Sequence, residues 1–194
     1  MTNELHDSDE NTGTMDVLER HQFDTSKLQE YMHENVNGFE GKIKLEEFKG
    51  GQSNPTYKVI TPNQSYVLRR KPPGKLLKSA HAVDREYKVI TALNKTEVPV
   101  PKSYALCEDE DIVGTSFYIM EFKDGRVLWD PAMESSDIEE ANGVYKSMND
   151  SMAKLHSVDP NEIGLEDFGK PGNYVGRQVS RWSKQYICLL YTSP

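Results

Sequence analysis

The residues with the most chemical potential fall in four short stretches. The first is Gly50-Gly51-Gln52-Ser53-Asn54. Two adjacent glycines at a turn carry no Cβ to hold an anion away, so backbone N–H groups there can approach phosphate oxygens. Ser53 and Asn54 add side-chain donors. The pattern is neither GxGxxG nor a Walker loop, and its plain alternative is an ordinary turn. The second is Arg69-Arg70-Lys71, which ends the apolar run Tyr66-Val67-Leu68. Strand alternation sends Arg69 and Arg70 to opposite faces. One of them can reach under the glycine turn toward a polyphosphate; otherwise the triplet is a solvated strand end. The third is Glu86, whose carboxylate could hold such an arginine in place or be a simple surface charge. The fourth is Phe117-Tyr118-Ile119-Met120-Glu121-Phe122, an apolar strand running into Lys123-Asp124-Gly125. A strand-to-linker junction of this kind can offer backbone donors and acceptors to the edge of an adenine.

These stretches need elements to hold them. Residues 1–16 are polar and acidic and read as a disordered lead-in. Asp24-Thr25-Ser26 offers helix caps ahead of Leu28, Tyr31, Met32 and Val36 at helical spacing, with Gly38 as a stop. Ile43 to Phe48, Thr56 to Thr61 and Ser65 to Arg70 read as three strands, the last two joined by the turn Pro62-Asn63-Gln64. Pro72-Pro73-Gly74 ends that unit. From His81 to Leu93 the period turns helical, and Glu86 lies on this segment. Two prolines keep Val98 to Pro101 extended. Tyr104 to Cys107 and Phe117 to Phe122 then pair around the acidic turn 108–114. Ser135-Ser136-Asp137 caps a long helix bearing Tyr145, Met148, Met152 and Leu155, and a short helix spans Arg177 to Tyr186. The order is helix, three strands, helix, two strands, linker, helix. It predicts an α+β fold, a five-stranded antiparallel sheet with one inserted helix, which is the small lobe of a protein-kinase-like architecture. In that architecture a helix glutamate holds the strand cation that meets the nucleotide phosphates.

The bulk numbers narrow the function. The chain has 194 residues, 36% hydrophobic and 28% charged, enough for one modest core. With 31 acidic against 23 basic side chains the net charge is -8, which speaks against nucleic-acid binding. Cys107 and Cys188 lie far apart, and the five histidines form no HxxxH or HxxE cluster, so neither a disulfide framework nor a histidine metal site is expected. No apolar run approaches the roughly 20 residues that span a bilayer. The acidic start has neither a signal-peptide core nor presequence arginines. The cytoplasm is the default compartment, with peroxisomal and mitochondrial addresses left open.

FKGGQSNPTYKV, YVLRRKPPGKLLKSAHAVDREYKVI, VPVPKSYALCEDEDIVGTSFYIMEF, GRVLWDP and LHSVD resemble the aminoglycoside-phosphotransferase-like family. The resemblance runs from about His21 to Tyr186. It is densest to the branch found in bacterial stand-alone phosphotransferases and at the amino terminus of some acyl-CoA dehydrogenases. It implies ATP and Mg²⁺ as cofactors and a small-molecule hydroxyl compound, by branch a hydroxyacyl-CoA, as acceptor. By resemblance Gly51, Gln52, Ser53 and Asn54 form the phosphate-covering loop. Arg69 takes the place of the nucleotide-binding cation with Glu86 as its partner, and Glu121 and Phe122 form the hinge through backbone atoms. His156 resembles a packed family helix end, with no catalytic role.

The departures are equally informative. The family carries its catalytic Asp in an HGD motif followed by an Asn and a metal-binding Asp; this chain contains no HGD. No catalytic residue or metal ligand is therefore assigned, and the metal ligands are expected only beyond this sequence. The implied layout is a lead-in at 1–16, a nucleotide-binding lobe at 17–123, a linker and the start of a truncated helical lobe at 124–186, and a non-native tail at 187–194. A fragment of this kind would be inactive by itself. The alternative is a non-catalytic kinase-like binding or assembly module, with a dehydrogenase domain following it in the full protein.

Overall fold

The chain joins its sheet early. In the computed structural model, which describes residues 12–50, 54–74, 81–128, 130, 132–133, 136–170 and 172–192, the first strand is β1 (Thr14–Met15). It pairs antiparallel with β2 (Lys44–Phe48). Two residues of the stretch read as a disordered lead-in thus form an edge strand, and the sheet has six strands where the sequence predicts five. So short a strand carries no periodicity of its own. It exists because β2 presents an unpaired edge and because Thr14 Oγ1 donates to Glu46 at 2.6 Å.

Asp24 then starts α1 (Thr25–Asn35), accepting the Ser26 N–H at 2.9 Å. That bond holds the Asp24 carboxyl below its ordinary range. Leu28 and Met32, one turn apart, are fully buried, each stabilising the fold by roughly 1.5–3 kcal/mol. β3 (Thr56–Ile60) and β4 (Ser65–Arg70) form a hairpin around Pro62-Asn63-Gln64, closed by the Thr61 N–H to Gln64 carbonyl bond at 3.0 Å. After α2 (Val83–Leu93) the chain returns as β5 (Ser103–Cys107), makes the short α3 (Glu110–Val113), and runs back as β6 (Phe117–Glu121). Gly114, with φ 86°, ends α3 in the left-handed region. The segment read as an acidic turn is therefore a helical turn capped by Asp109.

Strand order is β1-β2-β3-β4-β6-β5, and all neighbours run antiparallel. Alternation assigns the faces. Tyr57 and Val59, Tyr66 and Leu68, Phe117 and Ile119, and Ala105 and Cys107 share one face, and with Leu28, Met32, Val36 and Phe39 of the α1 region they form the core. Thr56, Lys58, Val67, Arg69, Tyr118 and Met120 point to the other face. α2 covers part of that second face, with Tyr87 against Tyr118 (ring centroids 6.0 Å apart) and Thr91 Oγ1 donating to Ser103 at 2.8 Å. The sheet is thus held between α1 and α2.

The remaining helices are α4 (Ile138–His156), capped by Asp137 on the Glu140 N–H at 2.7 Å, and α5 (Tyr174–Thr192). The chain divides into two units, Met1–Val158 and Asp159–Pro194. No described residue of α4 is buried: Tyr145, Met148, Met152 and Leu155 stand exposed. His156, expected to pack, is exposed as well. α5 is longer at both ends than the helix read over 177–186: it takes in Gly176 at its start, and no glycine or proline interrupts residues 177–192.

Candidate functional site

The strand register sets up the site. Thr56, Arg69 and Tyr118 are direct cross-strand neighbours on β3, β4 and β6, all on the face that α2 partly covers. Glu86, in the first turn of α2, is brought over them. Arg69 Nε donates to Glu86 Oε2 at 2.7 Å, an ion pair between two partly exposed side chains. Tyr118 OH donates to the same oxygen at 3.1 Å, and Asn54 Nδ2 donates to Oε1 at 3.2 Å. Arg69 Nη1 also donates to Thr56 Oγ1 at 3.0 Å, and that hydroxyl donates in turn to the Asn54 carbonyl at 3.0 Å. The bonds close a ring from Arg69 through Glu86, Asn54 and Thr56 back to Arg69. A guanidinium held at two of its nitrogens by groups on two elements, α2 and β3, is pre-oriented; its remaining N–H donors keep the planar fork suited to phosphate.

Tyr118 is a constant donor within this group. Burial pushes its phenol well above the ordinary tyrosine range, and the Glu86 charge adds to the shift. The hydroxyl therefore stays protonated toward Glu86 through neutral and moderately alkaline pH.

Of the residues singled out in the glycine stretch, Gly51, Gln52 and Ser53 lie outside the described residues. Gly50 has φ 78°, a conformation that glycine takes without strain. Asn54, read as a phosphate donor, is buried and turned inward, its amide between Glu86 and His81. At the other end of the site, Glu121 and Phe122 leave β6 side by side. The Glu121 N–H donates to the Lys102 carbonyl at 2.8 Å, and its carboxylate takes Lys123 Nζ at 2.7 Å and the Lys102 N–H at 3.2 Å. These bonds, the one from Lys123 above all, hold its carboxyl below the ordinary range. Phe122 stacks on Phe48 of β2 with ring centroids 6.3 Å apart and 23° between planes, and Lys58 Nζ lies 4.2 Å from its ring centroid. The start of the linker is thereby pinned beside the strand that leads into the glycine turn.

Arg70 decides against the plain alternative for the basic triplet. It is not part of a solvated strand end but is buried on the core face. Its Nη1 donates to the Val113 carbonyl at 2.7 Å and its Nη2 to the His21 carbonyl at 3.0 Å, with Phe23 and Tyr57 rings 4.9 and 5.5 Å from its guanidinium carbon. It follows Tyr66 and Leu68 on the buried side of β4, which is the signal that the basic triplet obscured. Close by, His21 Nδ1 meets the buried Glu47 at 2.7 Å, and Glu47 also accepts the Leu18 N–H at 3.1 Å. Both features tie the chain before α1 to the sheet, and neither reaches the face that carries Arg69. Sequence reasoning also passed over Tyr118, Thr56 and His81, which complete the hydrogen bonding around Glu86. Their partners are distant in sequence: the register of β4 against β3 and β6 brings Thr56 and Tyr118 beside Arg69, and the start of α2 brings His81 to Asn54. Among the described residues no three His, Cys, Asp or Glu side chains form a group that could hold a metal ion.

Comparison with known proteins agrees with this fold. Residues 44–191 match the family described as "Phosphotransferase enzyme family". The Arabidopsis thaliana protein named "Probable acyl-CoA dehydrogenase IBR3" is 47% identical over 179 residues, covering 88% of this chain and 22% of its own length. Human "Acyl-CoA dehydrogenase family member 11" is 39% identical over 175 residues, with 88% and 22% covered. A solved chain from Ralstonia eutropha JMP134, provisionally named an aminoglycoside phosphotransferase, superposes with a TM-score of 0.74 at 49% identity. That match covers 89% of this chain and 50% of the solved one. The chain thus spans about a fifth of the curated relatives it matches and half of the solved neighbour, whose kinase-like fold it shares. It belongs to the phosphotransferase enzyme family.

Proposed function

We propose that this chain is the nucleotide-binding lobe of an ATP-dependent phosphotransferase whose acceptor is a small hydroxyl compound, by branch a hydroxyacyl-CoA. The observation that carries the proposal is the Arg69–Glu86 pair at 2.7 Å, fixed by Tyr118, Asn54 and Thr56 on the sheet face next to the glycine turn. In this reading Arg69 would supply a rigid donor fork for the phosphate oxygens of ATP, and the resemblance gives Gly51, Gln52 and Ser53 as the residues that cover them and Glu121 and Phe122 as those that meet the base edge. ATP would supply the transferable phosphoryl group. The role of this chain's own residues is to bind and orient the phosphates and neutralise their charge, which in phosphoryl transfer is most of what a protein contributes.

Mg²⁺ is a different matter. The described residues offer no carboxylate cluster to hold it, so no step is assigned to a metal here. The cytoplasm remains the proposed compartment; no described helix is long and apolar enough to cross a membrane. A second reading is a non-catalytic module joined to an acyl-CoA dehydrogenase. It is supported by the relatives' names and by their covering only about 22% of their own length. Equilibrium titration of the 194-residue chain with a fluorescent ATP analogue separates the two: saturable binding that unlabelled ATP displaces supports the first, and its absence supports the second.

A further inference from the structure

His81 stands just ahead of α2 in a backbone conformation that residues with side chains seldom adopt, φ 58°. Its Nδ1 lies 2.7 Å from Asn54 Oδ1, while its carbonyl accepts the Val83 N–H at 2.9 Å. The proton on this bond can be assigned from the partners. The Glu86 carboxylate can only accept, so the Asn54 atom that faces it at 3.2 Å must be the NH₂ group. The atom facing His81 is then the Asn54 carbonyl oxygen, another acceptor, and His81 Nδ1 must carry the proton. A flipped Asn54 amide would set oxygen against the Glu86 carboxylate and NH₂ against the imidazole N–H. The Glu86 carboxylate therefore excludes the flipped arrangement, and with His81 Nδ1 donating, the chain His81 to Asn54 to Glu86 has a single polarity.

We propose that His81 is a positioning residue of the nucleotide site. By fixing the Asn54 amide, it links the end of the glycine turn to α2 and holds Glu86 in the orientation that aims Arg69. This rests on the nucleotide-binding reading of the same face. His81 touches no phosphate in this role; it acts through Asn54 and Glu86. The same bonds join Asn54, and through it His81, to the carboxylate that holds Arg69.

The test is a titration of the 194-residue chain and its variants with a fluorescent ATP analogue, with thermal unfolding of each variant alongside. His81→Ala should weaken binding about tenfold, and adding Asn54→Ala to it should cost little more, because both substitutions break one chain of bonds. His81→Asn should restore affinity to within about twofold, since an asparagine amide nitrogen sits at the same branch position as Nδ1 and asparagine tolerates φ > 0. A wild-type chain that binds no analogue would refute the nucleotide-site reading itself. Wild-type binding that Arg69→Ala weakens and His81→Ala leaves unchanged would overturn the role of His81 alone. So would additive losses in the double variant, or a failure of His81→Asn to restore binding. Nitrogen-15 NMR of the wild-type chain reads the same claim without any variant: with the imidazole neutral, the proton should reside on Nδ1, and a proton on Nε2 alone would overturn the proposal.

Discussion

Arg69 and Arg70 are adjacent on one strand and should behave as opposites when each is replaced by alanine. Arg70 is 3% exposed, and its guanidinium gives two bonds to the backbone carbonyls of Val113 and His21. Removing it leaves both carbonyls without that partner, at roughly 1–3 kcal/mol for each that stays dry. It also removes the stacking on Phe23 and Tyr57, about 0.5–2 kcal/mol. Against these losses stands the relief of a buried cation whose Nε has no partner. The balance is a loss of about 3 kcal/mol. At about 2–4 °C per kcal/mol for a domain of this size, the melting temperature should fall by roughly 6–12 °C. Arg69 and Glu86 are 31% and 36% exposed, so their ion pair contributes only about 0–1 kcal/mol. Arg69→Ala should lower the melting temperature by no more than about 4 °C. Circular dichroism melts of the two variants side by side, with urea titrations to check that the slopes agree, provide the comparison. Equal shifts, or the larger shift for Arg69→Ala, would refute the assignment of the two arginines to the buried and open faces.

Further predictions follow from the same geometry. Glu86→Gln keeps the side chain's shape but cannot accept from Arg69, Tyr118 and Asn54 together, so ATP-analogue affinity should fall about tenfold; an unchanged titration would count against the ring of bonds. Burial raises the phenols of Tyr57 (to about 12), Tyr31 and Tyr118, by desolvation first in each case. A raised folded-state value means that this stability is complete below the ordinary tyrosine value near 10 and is lost as pH rises beyond it. Stability should therefore decline above about pH 10, and less steeply in Tyr118→Phe than in wild type; parallel declines in melts from pH 8 to 11 would contradict this.

Much of the lobe was legible because its cues are local. Asp24 and Asp137 cap helices where the sequence reading put them, and the alternation in Tyr57-Val59 and Tyr66-Leu68 set both strand faces. The same alternation put Arg69 on the side of Val67, and helical spacing put Glu86 on the segment that crosses above it. What failed was non-local. β1 is two residues long and depends on the edge of β2. The burial of Arg70 was not legible because its compensating acceptors, Val113 and His21, lie 43 and 49 positions away. Asn54 read as a free donor because nothing in the sequence brings His81 and Glu86 to it; the fold does so by starting α2 at Val83, two residues later than the period suggested.

The most direct measurement of the central claim is the affinity of this chain for an ATP analogue, wild type against Arg69→Ala. A phosphate contact from a held guanidinium is charge-assisted, about 1.5–3 kcal/mol, so the substitution should weaken binding by roughly 10- to 150-fold while the chain stays folded. If wild type and Arg69→Ala bind the analogue equally, or neither binds it, Arg69 and its face of the sheet are not a nucleotide site.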